Sequence, residues 1–317
     1  MPAADDCPLR KNGSLNDRNR ASACRRFDEG AMQDGGDRDR RGKAVPAPVL
    51  PPGGDPPARA CTDQGFLYLE RGNMEGALSC FNRVIELEPD NPEAYNNAGY
   101  VHELMDRLSS ALFMYRKALA FDEDNVEAMI NIAHIRDLEG DYHGALRQYR
   151  AALEIDPDNI NAHFCLGVLY DRHDMFDEAA GHYRQVLDRD PLHRKAIFNL
   201  GNLSIQTGNY DHAVALFNRL LEQEPTNAEA WNNLGSLYEE IGNLAGALHA
   251  WQQCLKLDPL QVKANLNLAR VEHSSGESTG DASRRQEIID RLKFVLALDP
   301  LSAQAKDLLA RVEAARP

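Results

Sequence analysis

Long apolar runs are missing from this chain. No window approaches 18 apolar residues, so no membrane-spanning helix is expected. The first twenty residues, MPAADDCPLRKNGSLNDRNR, lack the apolar core of a secretory signal. Arg25–Arg26–Phe27 glances at a twin-arginine signal, but DEGAMQDGG follows where apolar residues are required. Cysteines are few and scattered: Cys7, Cys24, Cys61, Cys80, Cys165 and Cys254 form no CxxC pair. Isolated thiols fit a reducing compartment, the cytoplasm, better than a disulfide framework. Positive charge is also in deficit. Lys and Arg number 35 against 49 Asp and Glu, a net charge of -14, and beyond residue 57 the balance is 25 against 40. Nucleic-acid binding needs clustered Lys and Arg, so it is not expected, and basic or neutral partners are favoured.

Catalytic spacing is missing too. HExxH, CxxC…CxxC, GxSxG and GxxxxGK[ST] do not occur. Of the ten histidines, His102 stands at a core position and His134 at a groove one, while His163 and Cys165, two residues apart, point away from each other on a helix. No metal, cofactor or enzymatic activity is expected.

Residues 1–57 are rich in Arg, Asp, Gly and Pro, close on VPAPVLPPGGDPPARA, and hold one aromatic, Phe27. So little apolar surface cannot offset chain entropy. Disorder is expected there, with an extended polyproline-like stretch near Pro46–Pro57. The segment reads either as a regulatory tail or as the result of a start assigned too early, with Met32 the other start.

From residue 58 the chain repeats. Pro89, Pro157, Pro191, Pro225 and Pro259 fall on a 34-residue period; Glu123 stands where one proline is missing, and Pro300 follows an insertion of seven. A fixed period of this length indicates a stacked array. With each unit numbered 1–34, position 8 is small (Gly65, Gly99, Ala133, Gly167, Gly201, Gly235, Ala269). Position 20 is alanine in six units, and position 24 is aromatic in six, from Phe81 to Trp251. Glycine inside a helix costs roughly 0.5–1 kcal/mol against alanine. Position 8 is therefore expected to lie against small position 20 of the unit's second helix, with the ring at 24 filling the gap to the next unit. Gly72, Gly140, Gly208, Gly242 and Gly276 at position 15 should end the first helix in a left-handed cap. Proline at 32 should stop the second. The expected fold is all-α, a solenoid of seven helix-turn-helix units over 58–300 with a capping helix over 301–317. The insertion HSSGESTGDASRRQ, near 273–286, reads as a lengthened flexible loop, or else as a phosphorylation site at Ser283 or a partner-binding segment.

Trp231, Leu234, Gly235, Tyr238, Ala247, Trp251 and Pro259 reproduce the pattern W-x2-L-G-x2-Y…A-x3-F…P. On these residues the chain resembles the tetratricopeptide repeat family, over about residues 58–300. The resemblance implies a right-handed α-solenoid that binds protein or peptide on its inside, and nothing narrower.

Asn232 and Asn233 sit early in a first helix, where asparagine is a poor choice. Position 6 reads Asp63, Asn97, Asn131, Cys165, Asn199, Asn233 and Asn267. At about 100° per residue, positions 4, 7, 8 and 11 share the core side, and 2, 6, 9 and 13 fall opposite, on the face that lines the groove in the family. Asparagines recurring here resemble the ladder in the repeat region of O-GlcNAc transferases, where amides gripping a peptide backbone are implied. One amide offers both a donor and an acceptor. Position 2, on the same face, has drifted through Arg59, Glu93, Glu127, Asn161, Lys195, Glu229 and Lys263, so exposure alone does not hold a residue fixed; inheritance by duplication is the other reading.

The candidate groove residues are Asn97, Asn131, Asn199, Asn202, Asn233 and Asn267, with Glu103, Asp137, Asp171, Lys195 and Glu239 supplying charge. They favour a basic or polar extended ligand. Position 5 carries no lysine, which argues against a clamp for acidic chaperone tails. The reading is a non-catalytic scaffold that binds an extended peptide or partner protein in a concave groove. The alternatives are a substrate-recruiting subunit of an enzyme on another chain, such as a glycosyltransferase, and self-association through the groove. Changing Asn199 and Asn233 together to alanine should weaken binding and leave stability nearly unchanged.

Overall fold

Five successive repeats begin on an asparagine or its equivalent. The side chains of Asn91, Asn125, Asn159, His193 and Asn227 accept a hydrogen bond from the backbone N–H three residues on, at 2.9–3.2 Å, which satisfies an otherwise orphaned donor of the helix that follows. Four of these residues, the asparagines, also donate Nδ2 to the carboxylate three residues back, Glu88, Asp122, Asp156 or Glu224. Each acid caps the end of the preceding helix, with backbone turned out of the helical region. The turn between repeats is thus fastened at both ends by side chains. Proline is not required for it: at Glu123 the same geometry forms on Asp122 and Asn125 alone.

A computed structural model describes residues 57–274 and 282–314. The expectations for residues 1–56, and for the middle of the insertion with Gly276, lie outside the described residues. The helices are α1 (Ala58–Glu70), α2 (Met74–Leu87), α3 (Pro92–Leu104), α4 (Leu108–Phe121), α5 (Val126–Leu138), α6 (Tyr142–Ile155), α7 (Ile160–Arg172), α8 (Phe176–Arg189), α9 (Arg194–Gln206), α10 (Tyr210–Gln223), α11 (Ala228–Glu240), α12 (Leu244–Leu257), α13 (Val262–Ser274), α14 (Ala282–Leu298) and α15 (Ala303–Ala314). The fold is an all-α helical-repeat solenoid, with no strand among the described residues. In the first six repeats the first helix, here A, fills positions 1–13 and the second, B, positions 17–30.

Helix A ends in the left-handed region at position 15, with φ of 71–81° at Gly72, Gly140, Gly208 and Gly242. Asp106 and Asp174 take the same conformation in the two repeats that lack the glycine, at φ 59° and 58°. Asp tolerates this region better than most side chains.

Two expectations need correction. The nearest neighbour of position 8 is the ring at position 24 of the same repeat, a ring that the sequence sets only against the next unit. A methyl group on Gly235 would lie 2.5 Å from Trp251 Nε1, and one on Gly167 2.6 Å from Tyr183. The glycines are therefore small because a whole aromatic ring lies across them. These rings, with Tyr115, Tyr149, Phe81 and Phe217, are the largest fully buried side chains of the array. The insertion is also not loop throughout. His273 and Ser274 belong to α13, and α14 starts at Ala282, so Ser283 lies in its first turn.

The chain divides into two compact units, one running to Asp190 and the other from Pro191. The second ends on α15, which packs Ala305, Leu308 and Val312 onto the core around Ile288, Leu292 and Val295.

Candidate functional site

In both units close contacts run between consecutive A helices, α3 to α5 and α5 to α7 in the first, α9 to α11 and α11 to α13 in the second. No contact of that extent joins consecutive B helices among the described residues. Helices A thus form the inner wall of each unit. Their position-6 asparagines are half-buried, at the seams between successive helices.

In the first unit Asn131 donates Nδ2 to Asn96 Oδ1 at 3.0 Å, one repeat back, and Asn96 is only 7% exposed. Glu103 is held from two sides: His134 Nδ1 lies 2.9 Å from Oε1, and Tyr115 donates its hydroxyl to Oε2 at 2.9 Å. The Glu103 and His134 side chains are 8% and 7% exposed. Asp137 accepts from Arg172 at 2.6 Å and is buried. Asp171 is half-buried and Cys165 buried, so the ladder is interrupted at Cys165 as the sequence indicates. The Asn97 side chain holds no hydrogen bond among the described residues.

In the second unit Asn233 donates to Asn202 Oδ1 at 2.8 Å, and Asn232 donates to Asn233 Oδ1 at 3.4 Å. Glu239 pairs with Arg270 at 2.5 Å. Asn199, Lys195 and Asn267 are half-buried, and Asn267 holds no hydrogen bond among the described residues. Burial raises the Glu229 carboxyl above the ordinary carboxylate range, and the nearby Lys263 opposes the rise. Asn232 Oδ1 is buried with no donor.

Several candidate residues therefore serve the array itself. Asp137 and Glu239 are tied into ion pairs between repeats, Glu103 into hydrogen bonds with His134 and Tyr115, and Asn131, Asn202 and Asn233 into amide pairs. The acidic charge read from the sequence is offset at Asp137 and Glu239 by Arg172 and Arg270. The hydrogen bond from Asn233 to Asn202 serves the array as well as any ligand, at about 0.5–1.5 kcal/mol net for such a bond. Position 5 was missed: Asn96 and Asn232 are buried at the seam, and the tandem asparagines at 96–97 and 232–233 were the visible signal.

In the fourth repeat the buried His163 meets the half-buried His182, their rings tilted by 40° and their Nδ1 atoms 2.9 Å apart. His163 Nε2 donates to the Pro157 carbonyl at 3.0 Å, so in the neutral pair its Nδ1 accepts from His182. Tyr95, Trp231 and Asn265, at the same repeat position as His163, donate to the equivalent proline carbonyls. The histidine is thus in a structural role. Among the described residues no group of three or more His, Cys, Asp or Glu could hold a metal ion, and no helix is long and apolar enough to cross a membrane.

Models of the tetratricopeptide repeat match residues 65–106 and 138–173, 92–125, 172–238 and 228–259. No curated protein matches the chain. Among solved structures, the chain is similar to a tetratricopeptide repeat protein from Parabacteroides merdae at 18% identity and TM-score 0.53, covering 81% of this chain and 98% of that one. It is also similar to PilF of Pseudomonas aeruginosa at 20% identity and TM-score 0.60, covering 67% and 97%. A third is YrrB, described as a TPR protein with an unusual peptide-binding site, at 23% identity and TM-score 0.50, covering 58% and 95%. At these identities the likeness is one of fold.

Proposed function

Because this chain belongs to the tetratricopeptide repeat family, whose members serve as protein-interaction scaffolds, we propose that it is a non-catalytic scaffold gripping an extended segment of another protein along helices A. The observation that carries this reading is the spare hydrogen-bonding capacity of the wall. Asn97 and Asn267 are half-buried amides with no hydrogen bond among the described residues, at the same repeat position as Asn131, Asn199 and Asn233. The amide of an asparagine matches a backbone carbonyl and N–H together and reads no side chain. The peptide-binding description of YrrB supports the same use of the fold.

The grip is weak by arithmetic. Each hydrogen bond contributes about 0.5–1.5 kcal/mol net, and ordering an extended segment consumes a comparable amount. Selectivity then rests on neighbouring charges. Asp63, Glu70 and Glu93 are exposed and form no ion pair among the described residues, which favours basic or polar segments. Four buried cysteines outside any disulfide, Cys61, Cys80, Cys165 and Cys254, suit work in a reducing compartment such as the cytoplasm.

The test is affinity capture with the full chain, followed by titration of the captured segment as a synthetic peptide. Asn97→Ala with Asn267→Ala should weaken that peptide several-fold while the unfolding midpoint stays within experimental scatter. Unchanged affinity in the double variant would remove the position-6 amides from the binding surface.

A further inference from the structure

Helix α1 is the one A helix with no B helix before it among the described residues. In later repeats that preceding helix buries positions 3 and 10: Ala128 and Ala230, like Ile135 and Leu237, are 0% exposed. In α1 the same positions hold Ala60 and Leu67, both exposed, Leu67 at 42%. Ala60, Asp63, Leu67 and Glu70 follow one another at spacings of three and four and share one face of the helix. The face is an apolar strip with carboxylates beside it, and Phe66, 37% exposed, extends it toward the inner wall. The far end of the array differs, because α15 covers it.

We propose that the α1 face is covered by the chain's own segment Arg18–Phe27, RNRASACRRF. The segment carries Arg18, Arg20, Arg25 and Arg26, no acidic residue, and the single aromatic of residues 1–57. Its arginines match Asp63 and Glu70, with Glu93 one repeat on, and Phe27 with Ala21 and Ala23 matches the strip at Leu67 and Ala60. Residues 28–56 join it to Pro57 at the start of α1. A chain of roughly 30 residues has a mean span near 30 Å, against about 20 Å for the length of a 13-residue helix, so the segment reaches every turn of α1. Tethering at that distance gives a millimolar effective concentration. A second copy of α1 fits the face less well, because it would set Asp63 and Glu70 against the same acids. The inference does not touch the position-6 amides, but it draws on the three carboxylates that favour basic partners, so the segment and such a partner compete for this end of the wall.

Limited trypsin digestion of the full chain, with the cut sites mapped by mass, tests it. Cleavage after Arg38, Arg41 and Lys43 should run at least tenfold faster than after Arg18, Arg20, Arg25 and Arg26. Leu67→Glu, and separately Asp63→Lys with Glu70→Lys, should abolish the difference, with helix content checked by circular dichroism. Equal rates in the wild type, or slow cleavage at the four arginines that neither variant speeds, would overturn the assignment. So would protection that appears only at high protein concentration, which would give the face to a second copy.

Discussion

A hydrogen atom in place of a methyl group sets how closely the two helices of a repeat approach. At Gly235 the indole of Trp251 occupies the space a side chain would need. Alanine there gains about 1 kcal/mol of helix propensity but overpacks the core by about 1–3 kcal/mol, so Gly235→Ala should lower the unfolding free energy from denaturant titration by about 1 kcal/mol. Ala133→Gly, opposite Tyr149 in a repeat already built around a methyl group, should cost a similar amount for the opposite reason. A more stable Gly235→Ala would mean that the ring yields without cost. That position 8 must stay small was legible in the sequence, but the ring that lies across it was not. A helical wheel ranks faces and contains no stagger of the opposing helix, and that stagger sets the ring at position 24 nearest to position 8.

Element boundaries were the most legible feature, because caps and period agree: asparagine before most A helices, a left-handed residue after them, an acid and usually proline after each B helix. Asp106 and Asp174 escaped notice, since only the backbone reveals that they stand in for glycine. The seams were illegible for another reason. Asn131 finds Asn96, and Asn233 finds Asn202, across helices not consecutive in the sequence, where spacing alone does not set register. The same limit hid the pairing of Glu103 with His134. At the end of the array, Arg285 of α14 donates to the carbonyls of Val312 and Glu313 in the last turn of α15. Backbone acceptors there have no helical partner of their own. Arg285→Ala should therefore fray α15, raising amide exchange of residues near Val312 several-fold and leaving α11 and α12 unaltered. Uniform exchange across both helices would show that the arginine is dispensable.

Two compact units, each with its own buried rings, imply that the molecule does not lose its order all at once, since repeat arrays are stabilised by neighbour contacts. Acid should act on the first unit most strongly through His182, and in the same direction through His102, whose imidazole burial also holds below its ordinary value. Burial, then His163 and Arg150, hold His182 down at about 4 from its ordinary 6.5. Between those values the unfolded chain takes up a proton that the folded unit refuses, so stability is complete above pH 6.5 and declines as pH falls toward 4. The denaturant midpoint of wild type should drop more between pH 7 and 4.5 than that of His182→Gln, and equal drops would discard the explanation. The repeated turn has a wider consequence. Because an asparagine and an acid clasp four of the joints from within, a block of 34 residues inside one unit carries its own splice. Lengthening or shortening such an array asks for no new hardware, and the reach of its inner wall becomes a matter of counting blocks.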